Sequence, residues 1–556
     1  MEENEIEILS GSDNLKEVCK ILQLFLKNNE NVFTFPNLAE KNKRALLWTA
    51  LFQHLQNKSS VPVHALCLAT IRVLSRDKSD VDNLICERWI TTLIERAGLY
   101  NFEGLDEETM IPLNLIEKDI ALEALKCLCN LTFNSEVARA LCAHTSIAQG
   151  LVARLRIYKE IPFKEEIMLF DMKLLFILTA LRHDIKSKIK DELHGMEYLI
   201  NCLDEILTEA STKAEDQASS SSGLVEGAHH CFLQDQQQAI ICEILKTQFN
   251  LILQSGSEEP ADETEEAMFL KLMPVMTALL YAHTTSEEKL MELRSNITNL
   301  LTSVPPMFYP FLTPELSVGE RAQYSFDGRN MDALQALILL LQYRLNVTTS
   351  TKNQYENLSP ILTVLNKSSR GCRSQRKYLR QVVLPPLRDV SRPPEKGNTL
   401  RNQLCRLLTT PVTSVRDLVA EFLFILCKEK VGRMVKYTGF GNAAGHLAQK
   451  GLLSGGRGGR GRDYSSSSDD SDTEEYLEAQ PHIDPVVGCT RPPRLNPFEG
   501  MTDEQKEFEA MKLVNLFDKM VTDGVMKPAR IGPDGRPQAV EHVLELREHP
   551  PNRPQS

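Results

Sequence analysis

The stretch Ala124–Ser135, "ALKCLCNLTFNS", lines up with Ile244–Ser255, "ILKTQFNLILQS", and that match decides the fold. Leu, Lys, Asn, Leu and Ser coincide in the two strings. "SNITNLLTS" (Ser295–Ser303) fits the same frame, with Asn299 in the place of Asn130 and Asn250. "ATIRVLSR" (Ala69–Arg76) fits it more loosely, with Arg72 there and Arg76 where Asn134 stands. Self-similarity at irregular spacing, in segments of helical apolar period, predicts degenerate repeats of the armadillo/HEAT kind. Such repeats stack into a superhelix with a long concave face.

The same period extends outward from about Leu15 to Lys450, through "LKEVCKILQLFLKN", "HALCLATIRVLS", "DMKLLFILTALRHDI" and "QAIICEILKTQFNLIL". Convincing hairpins of alternating strands are absent, so the expected class is all-α, with residues 1–450 as an armadillo/HEAT-like superhelix. Two inserts interrupt it. Thr208–His230 is polar and of low complexity, and predicts a disordered loop near 208–235. Its His229 and His230, beside Cys231, read as part of that loop rather than as a metal cluster. Leu312–Asn330 reads as a second connector.

Composition changes after Lys450. Residues 451–500 read as a linker in three parts: the glycine-arginine run "GGRGGRGR", the serine-acid run "DYSSSSDDSDTEEY" and a proline-rich stretch. The segment 501–522 predicts a helix, with Thr502 and Gln505 at capping-box spacing. Ala510, Leu513, Val514, Phe517, Met520 and Val521 form its apolar stripe. It reads equally as a final cap on the array or as a partner-binding arm. Residues 523–556 read as a flexible tail.

The net charge of −12 argues against nucleic acid as the main partner, because phosphate binding needs a basic surface. The glycine-arginine run also lacks nearby aromatics for base stacking. Thirteen scattered cysteines include no C-x-x-C pair. They predict reduced, buried thiols and neither a zinc site nor a redox motif. The N-terminus lacks the layout of a signal peptide, and the best apolar run, "EFLFILC" (Glu421–Cys427), is far too short to span a bilayer, so no direct membrane anchor is expected. Nucleophile-elbow, phosphate-loop and zinc-protease motifs are missing. "GFGNAAG" (Gly439–Gly445) is similar to a dinucleotide fingerprint, but it has one residue too many and follows a helical segment; it reads as a helix break between repeats. The expectation is a binding protein without metal, cofactor or covalent chemistry.

Its candidate binding residues lie on the repeats. The amides of Asn130, Asn250 and Asn299 either bond the backbone of a ligand in the groove or tie one repeat to the next. Arg72 and Arg76 lie one helical turn apart and share a face that can receive a carboxylate. Arg373, Arg376, Lys377 and Arg380 form one basic helical stripe. Ser466, Ser467 and Ser471 each have an acid three residues later, the context favoured by acid-directed kinases such as casein kinase 2. Phosphate there adds roughly −1.5 to −2 charge and suits an arginine cluster. The expectation is that phosphorylation docks this linker on the array, at Arg373–Arg380, and so positions the terminal helix.

"VVLPPLRDV" (Val382–Val390), "AEFLFILCKE" (Ala420–Glu429), "KYTGFGNAAG" (Lys436–Gly445) and "EGMTDEQKEFEAMKLVNLFDK" (Glu499–Lys519) resemble the synembryn family, as do "LSRDK" (Leu74–Lys78) and "NLLTSVP" (Asn299–Pro305). The resemblance covers about Leu66 to Lys519. It implies a superhelix that chaperones nascent α subunits of heterotrimeric G proteins and acts as a receptor-independent nucleotide exchange factor. Members bind Gα-GDP, hold the C-terminal helix of Gα in the groove, stabilise the nucleotide-free state and are released by GTP. The resemblance places Arg72, Arg76, Asn130 and Asn134 in the groove. It carries the terminal helix, with Leu513, Leu516, Phe517 and Met520, to the nucleotide domain of Gα. Aligned on "DTEEY", Ser466 and Ser471 occupy the family's casein kinase 2 phosphosites. It implies a cytoplasmic protein recruited to the cell cortex through lipidated Gα. The alternative is a helical-repeat adaptor or scaffold without exchange activity.

Overall fold

The structure, a computed structural model, describes residues 3–11, 14–39, 42–99, 117–161, 163–218, 231–252, 259–319, 321–348, 350–456, 472–491, 498 and 500–540. The chain falls into two compact units, Met1–Leu312 with Ser317–Ala322, and Thr313–Leu316 with Gln323–Ser556.

The first unit is a ladder of helices. Leu15–Asn28, Val61–Leu74, Lys118–Asn134, Lys164–Leu181, Asp235–Ile252 and Glu287–Ser303 each pack on the next. A second row covers them: Lys43–Gln56, Glu87–Arg96, Gly195–Ala218 and Glu263–Tyr281 each pack on a ladder helix. A ladder helix is therefore covered on several sides, which explains its broad apolar surface. Lys118–Asn134 buries Ala121, Ala124, Leu125, Leu128 and Leu131 along with Cys127 and Cys129. Polar caps punctuate the rows. Ser135 ends one helix in an extended conformation and accepts from Ala138 N to start the next. Asp262 and Ser286 cap their helices in the same way.

Burial pushes the thiols of Cys67, Cys129, Cys142, Cys202 and Cys242 up to about 12, which keeps them protonated. The expected buried thiols are found there; Cys86, by contrast, is exposed. The core also holds a fully buried ion pair. Arg154 Nε lies 3.4 Å from Asp171 Oδ2, with the two side chains 1% and 0% exposed. Tyr158 donates its hydroxyl to the same oxygen at 2.8 Å, and Arg154 Nη2 donates to Ala97 O at 3.0 Å.

The insert expected from Thr208 is helical in its first part: Gly195–Ala218 runs through it as one helix. The segment is polar, but alanine, glutamate and lysine favour helix, and no glycine or proline breaks it before Ser222. The pairing of Phe232–Leu233 with His283–Thr284 marks the far side of the insert. His229 and His230 lie outside the described residues.

In the second unit Gln354–Gly371 packs on Thr413–Leu426. The connector 312–330 contains a hairpin, Ser325–Phe326 against Arg329–Asn330. Asp327 and Gly328 turn it with φ of 49° and 73°, the pair of positive values that a tight hairpin turn demands. The "GFGNAAG" segment is a helix break: Val431–Thr438 ends at Gly439, and Phe440–Lys450 follows.

The stretches read as linker and tail contain folded parts. Thr473 caps the short helix Glu474–Ala479 and donates its hydroxyl to Leu387 O. Tyr476 is buried. Ile483–Asp484 then pairs with Cys489–Thr490. Phe440 N and Gly441 N donate to Pro485 O and Val486 O at 2.9 Å each, and Thr490 N donates to Val390 O at 2.9 Å. This hairpin is a clasp on the helix break. Beyond the terminal helix, Ala529–Ile531 pairs with Pro537–Ala539 in a second hairpin, and Leu453 N donates to Gly535 O at 3.3 Å. Strands of two or three residues show no readable alternation, which is why a loose linker (451–500) and tail (523–556) were the expectation.

The first clasp closes on two glycines. Gly488 has φ 76°, and a Cβ on it would lie 2.9 Å from Gly439 Cα and from Pro394 Cγ. Gly488→Ala is therefore expected to loosen the clasp. The left-handed backbone costs about 1–2 kcal/mol for a residue with a Cβ, before any clash. Amide hydrogen exchange at Phe440 and Gly441 should accelerate by about tenfold while the ladder core of the first unit keeps its protection.

Candidate functional site

Glu123, Lys126 and Asn130 stand at i, i+3 and i+7 on Lys118–Asn134 and so share one face. Glu243, Lys246 and Asn250 repeat the pattern on Asp235–Ile252. Each lysine pairs with its own glutamate: Lys126 Nζ to Glu123 Oε1 at 2.8 Å, and Lys246 Nζ to Glu243 Oε1 at 2.9 Å. Arg72 Nε donates to Glu123 Oε2 at 2.6 Å. The lysines also stand over the rings of the helix between them. Lys126 is 5.3 Å from the centroid of Phe170, and Lys246 is 5.6 Å from that of Phe176. Lys173 shares Phe170 at 5.2 Å. At the near end, Arg76 lies 5.4 Å from the Phe33 ring and Lys78 5.4 Å from that of Phe133. The rings of Phe33 and Phe133 are 64% and 60% exposed, leaving them open to a ligand. Arg72, Arg76, Lys78, Lys126, Lys173 and Lys246 outnumber the carboxylates they contact. Such a face favours a segment carrying acid and apolar groups.

The asparagines tie repeats together. Asn130 Nδ2 donates to Arg72 O at 3.1 Å and Ser75 Oγ at 3.2 Å. Asn250 Nδ2 makes the same pair of bonds one step along, to Phe176 O at 3.3 Å and Thr179 Oγ1 at 3.1 Å. Asn134 Nδ2 donates to Ser75 O at 2.9 Å. Of the two readings of these amides, the repeat tie accounts for their donors. Their amide oxygens accept no hydrogen bond from the described residues and remain able to serve a ligand. Asn299 is half-buried on Glu287–Ser303 and makes neither tie. Arg76 is likewise partly engaged, donating to Glu30 O at 2.7 Å. Asn250→Ala is expected to cost about 1–2 kcal/mol, the loss of a tie that leaves the Thr179 hydroxyl and a carbonyl half-satisfied. Urea denaturation measures it.

The glutamates, lysines and phenylalanines of this face were missed by sequence reasoning. The signal was present, since E-x-x-K-x-x-x-N occurs in both aligned helices.

The terminal helix, Asp503–Thr522, has its capping box fully formed: Gln505 N donates to Thr502 Oγ1, and Thr502 N to Gln505 Oε1. No residue of this helix is buried. Leu513, Leu516 and Phe517 are 53%, 54% and 41% exposed, and Met520 is half-buried. A cap on the array would bury that stripe, so the cap reading fails. The hairpin that follows the helix is anchored to Leu453, so the residues beyond the helix are not a wholly free tail.

The basic stripe is partly occupied. Arg373 is exposed, but Arg376 Nη1 donates to Ser369 O at 2.9 Å and Lys377 Nζ lies 3.4 Å from Asp327 Oδ2. Arg380 gathers with Arg433 and Lys436 around Cys427, where burial pushes the thiol up to about 12 against the pull of the three cations. The acid segment's described end meets this cluster. Asp472 pairs with Lys436, whose ammonium lies 4.1 Å from the centroid of the Tyr476 ring. Ser466 and Ser471 lie outside the described residues. Among the described residues no group of His, Cys, Asp or Glu is placed to hold a metal ion, and no helix is long and apolar enough to cross a membrane.

A helical-repeat ladder with a cation–aromatic face, and a unit that presents an unpartnered amphipathic helix, together define a protein that binds other proteins. The family model described as guanine nucleotide exchange factor synembryn matches residues 67–536, and the chain belongs to that family. It is 39% identical over 528 residues to Chaperone Ric-8A of Danio rerio, covering 94% of this chain and 92% of that one. It is 39% identical to Chaperone Ric-8A of Gallus gallus, covering 95% and 94%, and 36% identical to Chaperone Ric-8 of Drosophila pseudoobscura pseudoobscura, covering 100% and 99%. Among solved structures, the SYS-1/POP-1 complex aligns with a TM-score of 0.43 at 14% identity, over 76% of this chain and 65% of that chain.

Proposed function

We propose that this chain chaperones nascent G protein α subunits and acts as a receptor-independent exchange factor for them. The observation that carries this reading is the terminal helix. It is capped and leaves its apolar stripe uncovered, as a segment does when its packing partner is another protein. The ladder face supplies a second contact, suited to the C-terminal helix of Gα. No covalent chemistry is involved. A protein that binds nucleotide-free Gα better than Gα-GDP shifts the population and speeds GDP loss; by reciprocity, GTP binding drives the partner off.

Phosphorylation of Ser466 and Ser471 by casein kinase 2 adds charge to a segment whose next residues already reach Lys436 and Leu387. In this reading the phosphates settle on the Arg373–Arg380 side, with Arg373 the open cation, and fix the start of the terminal helix. The protein works in the cytoplasm and reaches the cell cortex through lipidated Gα.

Size-exclusion chromatography of the chain with Gα-GDP tests this directly. The expected product is a stable complex stripped of GDP, dissolved by GTP and strengthened by prior kinase treatment. A complex that retains GDP would leave an adaptor without exchange activity. Unchanged hydrogen exchange around Arg373–Arg380 after phosphorylation would sink the docking step alone.

A further inference from the structure

A cavity of about 350 Å³ lies in the second unit, between the end of the Arg373–Val383 helix and the start of Leu400–Leu407. Four cations line it: Arg388, Arg392, Lys396 and Arg401. The first three are exposed and Arg401 is half-buried. None of the four side chains makes a hydrogen bond or close ion pair with another described residue. The loop that carries them, "LPPLRDVSRPPEKGNTLR" (Leu384–Arg401), contains two acids. Glu395 turns away and accepts from Asn442 Nδ2 at 3.1 Å. Asp389 is at the rim, but its Oδ1 accepts from Ser391 N at 2.9 Å, and the Ser391 bonds hold its carboxyl below the usual range. Asp389, which the charges of Arg392 and Arg401 reach, offsets only part of the four positive charges, so the cavity carries an excess of positive charge.

The loop is also built to keep its shape. Arg406 donates to Glu395 O at 3.1 Å and Gly397 O at 2.7 Å. Asn402 Nδ2 donates to Pro394 O at 2.7 Å, and Asn402 closes a capping box with Thr399. A loop backbone held in place, with cations set around a concavity of ligand size, favours an anion. Guanidinium forks match phosphate oxygens in pairs, and three arginines with a lysine suit an anion with more than one phosphate.

We propose that this cavity binds a compact, multiply phosphorylated anion of the inositol polyphosphate kind, either free or as the headgroup of a phosphoinositide. This site shares no residue with the ladder face or the terminal helix, so it stands or falls independently of the exchange reading. The rival occupant is the chain's own phosphorylated serine-acid segment, because Thr473 just beyond it is bonded to Leu387, which lines the cavity.

The test uses the full, unphosphorylated chain at about 0.15 M salt. Calorimetry with inositol hexakisphosphate serves as the soluble arm, and sedimentation with vesicles containing phosphatidylinositol bisphosphate as the lipid arm. Saturable one-site binding is expected in at least one arm. Binding in the vesicle arm alone assigns the headgroup; binding in the soluble arm that competes with vesicles assigns the shared phosphate chemistry. Arg392→Ser/Arg401→Ser should weaken it by about tenfold or more, with thermal unfolding unchanged, while Arg373→Ser leaves it within about twofold. No saturable binding in either arm, or equal weakening by Arg373→Ser, overturns the proposal. So does binding that vanishes on casein kinase 2 treatment but persists in the treated Ser466→Ala/Ser471→Ala chain, since the site would then belong to the chain's own phosphates.

Discussion

Leu513→Asp/Phe517→Asp is expected to lower the acceleration of GDP release by about a hundredfold or more, with the unfolding transition unmoved. Both side chains are largely open to solvent in the isolated chain, so folding places little value on them. On a partner they lie on the apolar stripe of one helix, the arrangement of a helix laid into a hydrophobic groove. Central apolar anchors in such interfaces are worth about 2–4 kcal/mol each, and burying an aspartate in their place adds a desolvation cost. Each 1.4 kcal/mol is about tenfold in affinity. The paired readout separates the two roles of this helix. A variant that lost stability in parallel with exchange would restore the cap reading, and one that lost neither would remove the helix from the interface.

The second large effect lies in the core. Arg154→Met leaves Asp171 fully buried with only the Tyr158 hydroxyl for company, and should cost about 3–5 kcal/mol in unfolding free energy. In the intact protein burial pushes the Asp171 carboxyl up to about 6, although Arg154 and the Tyr158 hydroxyl both favour the carboxylate. Between the unfolded value near 3.8 and the folded value the native state holds the extra proton. The Asp171 contribution is thus full below about 4 and is lost as pH rises through 6. Asp171→Asn should remove that slope, and Arg154→Met should steepen the loss above pH 6 because no cation then remains to favour the carboxylate. Arg154→Met/Asp171→Leu should regain much of the stability, since no charge is left buried. Urea denaturation at about pH 5 and pH 8 reads all three. A penalty under about 1 kcal/mol for Arg154→Met would show that Asp171 is satisfied by something other than the pair.

What the sequence disclosed followed from how local each signal is. The asparagine frame is a side-chain pattern within one helix, and it located the ladder through Asn130, Asn250 and Asn299. The capping box at Thr502 and the helix break at Gly439 depend on two to four neighbouring residues, and both were legible. The hairpins were not, although "DG" stands at Asp327-Gly328 and at Asp534-Gly535 in the turns of two of them. Their strands are too short to alternate, and the last two hairpins are anchored by hydrogen bonds to Phe440, Gly441, Val390 and Leu453, residues far away in the chain. The same is true of the binding face. Lys126 and Lys246 were visible as a match, but the rings beneath them sit on the Lys164–Leu181 helix, which carries no asparagine in the frame. Only packing brings the two together. The exposure of the terminal stripe was equally a matter of tertiary structure, because an amphipathic helix reads the same whether or not something covers it.

Loosening of GDP from Gα by this chain is read from the release rate of a fluorescent GDP analogue from purified Gα subunits. The measurement is made with and without the chain, before and after casein kinase 2 treatment. Release should be faster in proportion to chain concentration, should gain further on phosphorylation, and should lose that gain in Ser466→Ala/Ser471→Ala. Release at the intrinsic rate with every Gα class, despite a properly folded and phosphorylated chain, would contradict it.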